Sequence, residues 1–99
     1  MKYELRSSKQ YDQWFAKLKD SSIKIKVLAR LDQVENGNFG DFKQIGSNLF
    51  ELHFFFGSGL RIYYTIQDGR VLFLLAGGDK STQSKDIERA SELLNELEG

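Results

Sequence analysis

The sequence predicts an α+β domain in which a helical hairpin packs on an antiparallel β-sheet, in the order β-α-α-β-β-β-α. Three observations lead there. Between Phe50 and Ala76 lie three short runs rich in aromatic and β-branched residues, joined by Gly57-Ser58-Gly59 and Gln67-Asp68-Gly69. That is the pattern of an antiparallel meander. Two stretches of helical periodicity precede it, and a third follows from Ser84 to Glu98.

Taken in order, residues Lys2 to Leu5 suit a short edge strand. Ser7-Ser8 offers an N-cap for a helix running to about Lys19. In that helix Tyr11, Trp14, Phe15 and Leu18 recur at i, i+3, i+4 and i+7, one face of a helix. After Asp20-Ser21-Ser22, a second helix from about Ile23 to Glu35 places Ile23, Val27, Leu31 and Val34 on one stripe. Asn36-Gly37 stops it. Two helices joined by about three residues make a hairpin. Residues 38–48, with glycines at 40 and 46, read as an irregular crossing to the sheet. In the first meander strand Leu52, Phe54 and Phe56 point one way, and Glu51, His53 and Phe55 the other. In the second, Ile62, Tyr64 and Ile66 oppose Arg61, Tyr63 and Thr65. The third is apolar on both faces, which suits a central or doubly covered strand. The last helix turns Ile87, Ala90, Leu94 and Leu97 inward and its glutamates outward.

Composition bounds the function. The 99 residues make one domain, 1–99, large enough to fold around a single core. The polar start Lys2-Tyr3-Glu4-Leu5-Arg6 has no apolar core, so no signal peptide is expected, and no apolar run is long enough for a membrane helix. Cysteine is absent, which excludes disulfides, thiolate metal sites and a cysteine nucleophile and suits a reducing cytosol. With one histidine, no zinc site is expected. The net charge is zero, from 14 basic and 14 acidic residues. Residues 1–50 carry nine Lys/Arg against six Asp/Glu, a balance of +3, and residues 51–99 carry five against eight, a balance of −3. A nucleic-acid binder usually shows a clear basic excess, so any RNA contact here must come from a local patch.

Four features are candidates for chemistry, each with a plainer reading beside it. Arg61 is either a solvated strand residue paired with Glu51 or a guanidinium that holds a phosphate bidentately. His53, the lone histidine, falls on the same face as Arg61 and is either structural or a group for proton exchange. The block Gly77-Gly78-Asp79-Lys80-Ser81-Thr82-Gln83 is either an anion nest at a helix start or a cap supplied by Asp79 or Ser81. It does not have Walker spacing. Lys17, Lys19, Lys24, Lys26 and Arg30 decorate the hairpin, as a solvated face or a steering patch.

The blocks Gly37-Asn38-Phe39-Gly40-Asp41, Gly57-Ser58-Gly59-Leu60-Arg61-Ile62-Tyr63-Tyr64 and Leu74-Leu75-Ala76-Gly77-Gly78-Asp79-Lys80-Ser81-Thr82-Gln83 carry a resemblance that covers nearly the whole chain. It resembles the RelE/ParE toxin superfamily, most closely the HigB-like "addiction module killer" branch related to phage proteins. The resemblance implies a RelE/ParE-like fold and a bacterial or phage-encoded cytoplasmic toxin of a type II toxin–antitoxin system. It further implies a metal-independent, cofactor-free, ribosome-dependent endoribonuclease cleaving mRNA by 2′-hydroxyl attack. The implied partners are a cognate antitoxin, usually a helix-turn-helix protein, and the ribosome with its mRNA.

By position, the resemblance makes Arg61, Lys80 and His53 catalytic, and Lys43, Tyr63 and Gln83 substrate-binding, with Tyr63 stacking on a base. His53 stands where close members of the branch often have arginine. That departure either exchanges a phosphate clamp for a general acid/base or weakens the site. Two other readings accompany the resemblance: a non-catalytic or degenerate toxin that serves as an antitoxin-binding, repressor-complex subunit, and a ParE-like inhibitor of DNA gyrase.

Overall fold

The computed structural model describes residues 2–99. Its elements are β1 (Glu4–Ser7), α1 (Lys9–Ala16), α2 (Ser21–Glu35), β2 (Phe42–Gly46), β3 (Leu49–His53), β4 (Arg61–Gln67) and β5 (Val71–Gly78), then a 3₁₀ turn (Lys80–Thr82) and α3 (Gln83–Glu98). The α+β class and the order expected from the sequence are present. Within residues 38–48, read as irregular, the chain forms the additional edge strand β2. Its residues Phe42, Lys43 and Gln44 are all exposed, so no alternation of apolar and polar side chains marked it as a strand.

The five strands lie in the order β1-β5-β4-β3-β2, with β1 parallel to β5 and every other pair antiparallel. The sheet is covered on both faces. Under the hairpin helices, Tyr11, Val27, Leu31 and Val34 pack against Leu52, Phe54, Ile62, Tyr64 and Leu72. On the other face, Ala90 and Leu94 of α3 pack against Tyr63, Leu75 and Ala76. The two-faced apolar pattern of β5 follows from this, aided by a register shift: Tyr63 pairs with Ala76 and Tyr64 with Leu74. Leu75 is therefore the extra residue of a bulge, so Leu75 and Ala76 both face α3 while Leu74 faces the hairpin.

Arg30 fixes α2 to the sheet. Its Nη1 donates to the His53 carbonyl (2.9 Å), and its Nη2 to the carbonyls of Phe39 (2.9 Å) and Asp41 (2.9 Å). The guanidinium also lies 5.0 Å from the Phe54 ring centroid, in cation–π range. The sequence reading had grouped Arg30 with the solvated lysines of the hairpin; instead its fork is spent on three carbonyls. Gly40 has φ +65°, and a Cβ there would stand 3.0 Å from Arg30 Nη2, so both conformation and space favour glycine.

The Gly77-Gly78-Asp79 block is a structural junction. A Cβ on Gly77 would overlap the Trp14 indole, and one on Gly78 would overlap the Asp86 carboxylate. The Asp79 carboxylate accepts from Ser81 N (2.8 Å), Ser81 Oγ (2.6 Å) and Thr82 N (3.2 Å), while Thr82 Oγ1 accepts from Asp79 N (3.1 Å). This is a capping box, and the donors an anion would need are taken by the chain's own carboxylate. Hydrogen bonds from Ser81 hold the Asp79 carboxyl below the usual carboxylate range.

Variants at Arg30 and Asp79 test these two sets of contacts. Arg30→Ala should cost about 2–3 kcal/mol of unfolding free energy in urea titration, the scale of hydrogen bonds to a charged donor. Arg30→Lys should recover less than half of it, because an ammonium lacks the planar fork. Asp79→Ala should cost about 1 kcal/mol at neutral pH. Because the folded-state pKa of Asp79 lies below its ordinary 3.8, its contribution is full above that value and is lost as pH falls through the folded pKa. Stability curves of wild type and variant should therefore converge in acid.

Candidate functional site

Strand register assembles the site. His53 of β3 lies opposite Arg61 of β4, and Glu51 lies opposite both Tyr63 of β4 and Lys43 of β2. Cross-strand partners share a face, so Lys43, Glu51, His53 and Arg61 come to one surface, the face that α3 covers over β4 and β5. Gln83, the first residue of α3, closes one side. These residues line a cleft of about 120 Å³ together with Asp41 and Phe42. A larger, mostly apolar groove of about 180 Å³ between β5 and the end of α3 offers only Ser8 and Glu96 as polar lining. The smaller cleft gathers the groups that can transfer protons or hold a phosphate.

Its floor is a buried ion pair. Glu51 is 3 % and Arg61 9 % exposed. Arg61 Nη1 donates to the Gly59 carbonyl (3.0 Å), and Gln83 Nε2 donates to Glu51 Oε2 (3.1 Å). Arg61 Nε stands 3.8 Å from Glu51 Oε1 and has no hydrogen-bond partner among the described residues. At that distance the attraction is coulombic, not a hydrogen bond. The sequence identified Glu51 as the partner of Arg61, but the pair is buried, not solvated.

The wall is His53 with Asp41. His53 Nδ1 lies 3.3 Å from Asp41 Oδ2, and His53 N donates to the Asp41 carbonyl (3.0 Å). The side-chain contact is electrostatic rather than a hydrogen bond; a proton on Nδ1, facing the carboxylate, would leave the Nε2 lone pair to accept from a substrate. Asp41 was missed by the sequence reading. It lies 12 positions before His53 in a segment read as irregular, and only the Arg30 clamp and the β2–β3 pairing bring it there.

Of the six residues proposed from the sequence, the cleft brings together Arg61, His53, Lys43 and Gln83. Lys80 does not line it. Lys80 is exposed on the 3₁₀ turn, where its N donates to the Ser58 carbonyl (3.4 Å). A Cβ on Gly59 would touch Lys80 Cβ at 3.5 Å and Arg61 Nη1 at 3.7 Å, so Lys80 stands at the rim, across Gly59 from Arg61. Tyr63 is 0 % exposed, packed between sheet and α3. The expectation that it stacks on a base is corrected, because its ring has no open face. Burial pushes its phenol pKa up, reinforced by the nearby carboxylates of Glu51 and Asp86. Among the described residues, no group of three or more His, Asp or Glu side chains could hold a metal ion.

Comparison with known proteins bears on the fold and the family. A solved structure of an E. coli toxin RelE mutant in the free state matches with a TM-score of 0.75 at 21 % identity, over 93 % of this chain and 97 % of that one. The crystal structure of the intact E. coli RelBE toxin–antitoxin complex matches with a TM-score of 0.61 at 21 % identity, over 78 % of this chain and 95 % of that one. These likenesses show the fold. An uncharacterized protein of Haemophilus influenzae is 42 % identical over 97 residues, 98 % of each chain. The model of the phage-derived protein Gp49-like family (DUF891) matches residues 13–95. A match across that span, on a RelE-like fold, means that the chain belongs to the phage-derived Gp49-like family.

Proposed function

We propose that this protein is the toxin of a type II toxin–antitoxin pair, of the HigB-like kind, and that it cleaves mRNA on the ribosome without a metal. The observation that carries the reading is the cleft in which His53, oriented by Asp41, and Arg61, anchored by Glu51 and Gly59, sit opposite each other on adjacent strands. The likeness to a RelE toxin and to a toxin–antitoxin complex supports the toxin role and an antitoxin partner.

The chemistry would run as follows. His53 Nε2 removes the proton from a ribose 2′-hydroxyl, whose oxygen attacks the adjacent phosphorus. The P–O5′ bond breaks, leaving a 2′,3′-cyclic phosphate, and the departing 5′-oxygen takes a proton from the Lys80 ammonium or from water. Arg61 stabilises the charge that builds on the phosphorane oxygens. Lys80 at the rim adds positive charge or assists the leaving group, and Lys43 and Gln83 contact the backbone. The protein works in the cytoplasm, where the ribosome and mRNA are found.

One observation favours a second reading. Glu51 and Asp41 offset Arg61 and Lys43 within the cleft, which would suit a subunit that binds its antitoxin without cutting RNA.

A cell-free translation assay with primer extension tests both. Wild type should cut mRNA only when ribosomes are present. His53→Ala should slow single-turnover cleavage by about 10²–10⁴-fold and Arg61→Ala by about 10²–10³-fold. Arg61→Ala leaves Glu51 buried without its partner, so its unfolding midpoint is measured alongside. Folded wild type that leaves both mRNA and translation intact would eliminate the nuclease and favour the binding-only subunit.

A further inference from the structure

Phe55 is 81 % exposed, the most exposed large apolar side chain among the described residues. Its neighbours hold it there. Phe54 is 1 % exposed in the core under the hairpin, and Phe56 packs edge-on against it at 5.4 Å. With both flanking rings turned to the hairpin side, Phe55 is directed to the opposite side, that of the cleft. The loop that follows is closed by Phe54 N donating to the Leu60 carbonyl (3.0 Å). It is tied to the 3₁₀ turn by Ser58 Oγ donating to Asp79 Oδ2 (3.2 Å). The Phe55 ring therefore sits on an anchored loop, with its centroid 5.1 Å from that of His53.

The cleft beside it, about 120 Å³, is well below the size of a pocket for a whole small molecule. It has room for a phosphoryl group, so the base of the same nucleotide must remain outside at the rim. There Phe55 stands 81 % exposed, while Phe42, which lines the cleft, is 47 % exposed with its ring against Phe39. We propose that Phe55 is the stacking platform for an unpaired nucleobase whose phosphate occupies the His53–Arg61 cleft. This rests on the RNA reading above and supplies the base contact that buried Tyr63 cannot make. A single ring beside His53, on the loop whose Ser58 carbonyl accepts from Lys80 N, matches one base. An apolar protein surface would ask for a contiguous patch, but exposed Ile25 and Leu28 lie on α2, on the other side of the sheet, and exposed Leu97 lies in the last turn of α3, at the far end of that helix from Gln83. The Phe42 ring is turned to Phe39, 5.5 Å away.

The test is binding of purified protein to a labelled six-nucleotide single-stranded RNA with 2′-O-methyl riboses, which lack the attacking hydroxyl. The same oligonucleotide is made with one abasic ribose at each position in turn. Phe55→Ala should weaken binding about ten-fold with an unchanged unfolding midpoint. Phe55→Trp should bind at least as well as wild type, and Phe55→Leu should resemble Ala because it lacks a π face. At one position the abasic ribose should weaken wild type about ten-fold and Phe55→Ala hardly at all, since the two changes remove the same contact. Equal binding by wild type and Phe55→Ala would overturn the Phe55 proposal and leave the RNA reading standing. Failure of wild type to bind any oligonucleotide would overturn the Phe55 proposal, while the ribosome-dependent reading stands or falls on the cleavage assay above. Loss of antitoxin binding in Phe55→Ala, with RNA affinity intact, would assign the ring to a protein interface and also overturn the proposal.

Discussion

Arg30 reaches from α2 to the carbonyls of Phe39, Asp41 and His53. Those three groups belong to the chain entering β2 and to the end of β3. Without a donor they would be carbonyls at a partly buried strand end, each a desolvation penalty. A single planar fork satisfies all three. In doing so it sets how the helical hairpin sits on the sheet and holds Asp41 against His53. The site's wall is thus built from the hairpin side of the sheet, although its side chains work on the other. Gly40 is the local concession that lets the guanidinium in.

The floor of the cleft obeys a second constraint. A guanidinium as buried as Arg61 needs a counter-charge, because desolvating it alone is costly. Glu51, aligned one pleat further along the same face and held by Gln83, supplies it. The consequence is a cleft in which cations and carboxylates nearly balance. Binding there depends on where each group points more than on a general positive field. That fits a chain whose net charge is zero. At the rim, Lys80 makes no ion pair among the described residues, and Phe55 stands exposed.

Much of this was legible in the residues. Alternation along β3 and β4 separated Leu52, Phe54, Ile62 and Tyr64 from Glu51, His53 and Arg61, and the structure keeps that division. Ser8 was readable as a cap, and it accepts from Tyr11 N (3.0 Å). Asp79 was readable as one of two possible caps of the last helix; it caps the 3₁₀ turn ahead of that helix, whose own N-cap Thr82 makes no side-chain cap bond. Tyr63 shows the limit. Period-two alternation assigns a face but not what lies over it, and α3 lies over Tyr63. Arg30 shows another, since helix periodicity placed it among solvated lysines and only distant carbonyls gave its head a partner.

The sequence by itself therefore determined the element types and their order, the edge strand β2 excepted, and the faces that the residues of β3 and β4 take. These depend on spacing of 2 or 3.6 residues and on local capping, which neighbours along the chain decide. Tertiary structure decided the rest: that Asp41 meets His53, that the Arg61–Glu51 pair is buried, that Tyr63 is sealed while Phe55 stands open. Each of those depends on residues far apart in the chain meeting through strand register and helix docking. Such contacts are set by closure of the whole core, and no local pattern encodes them.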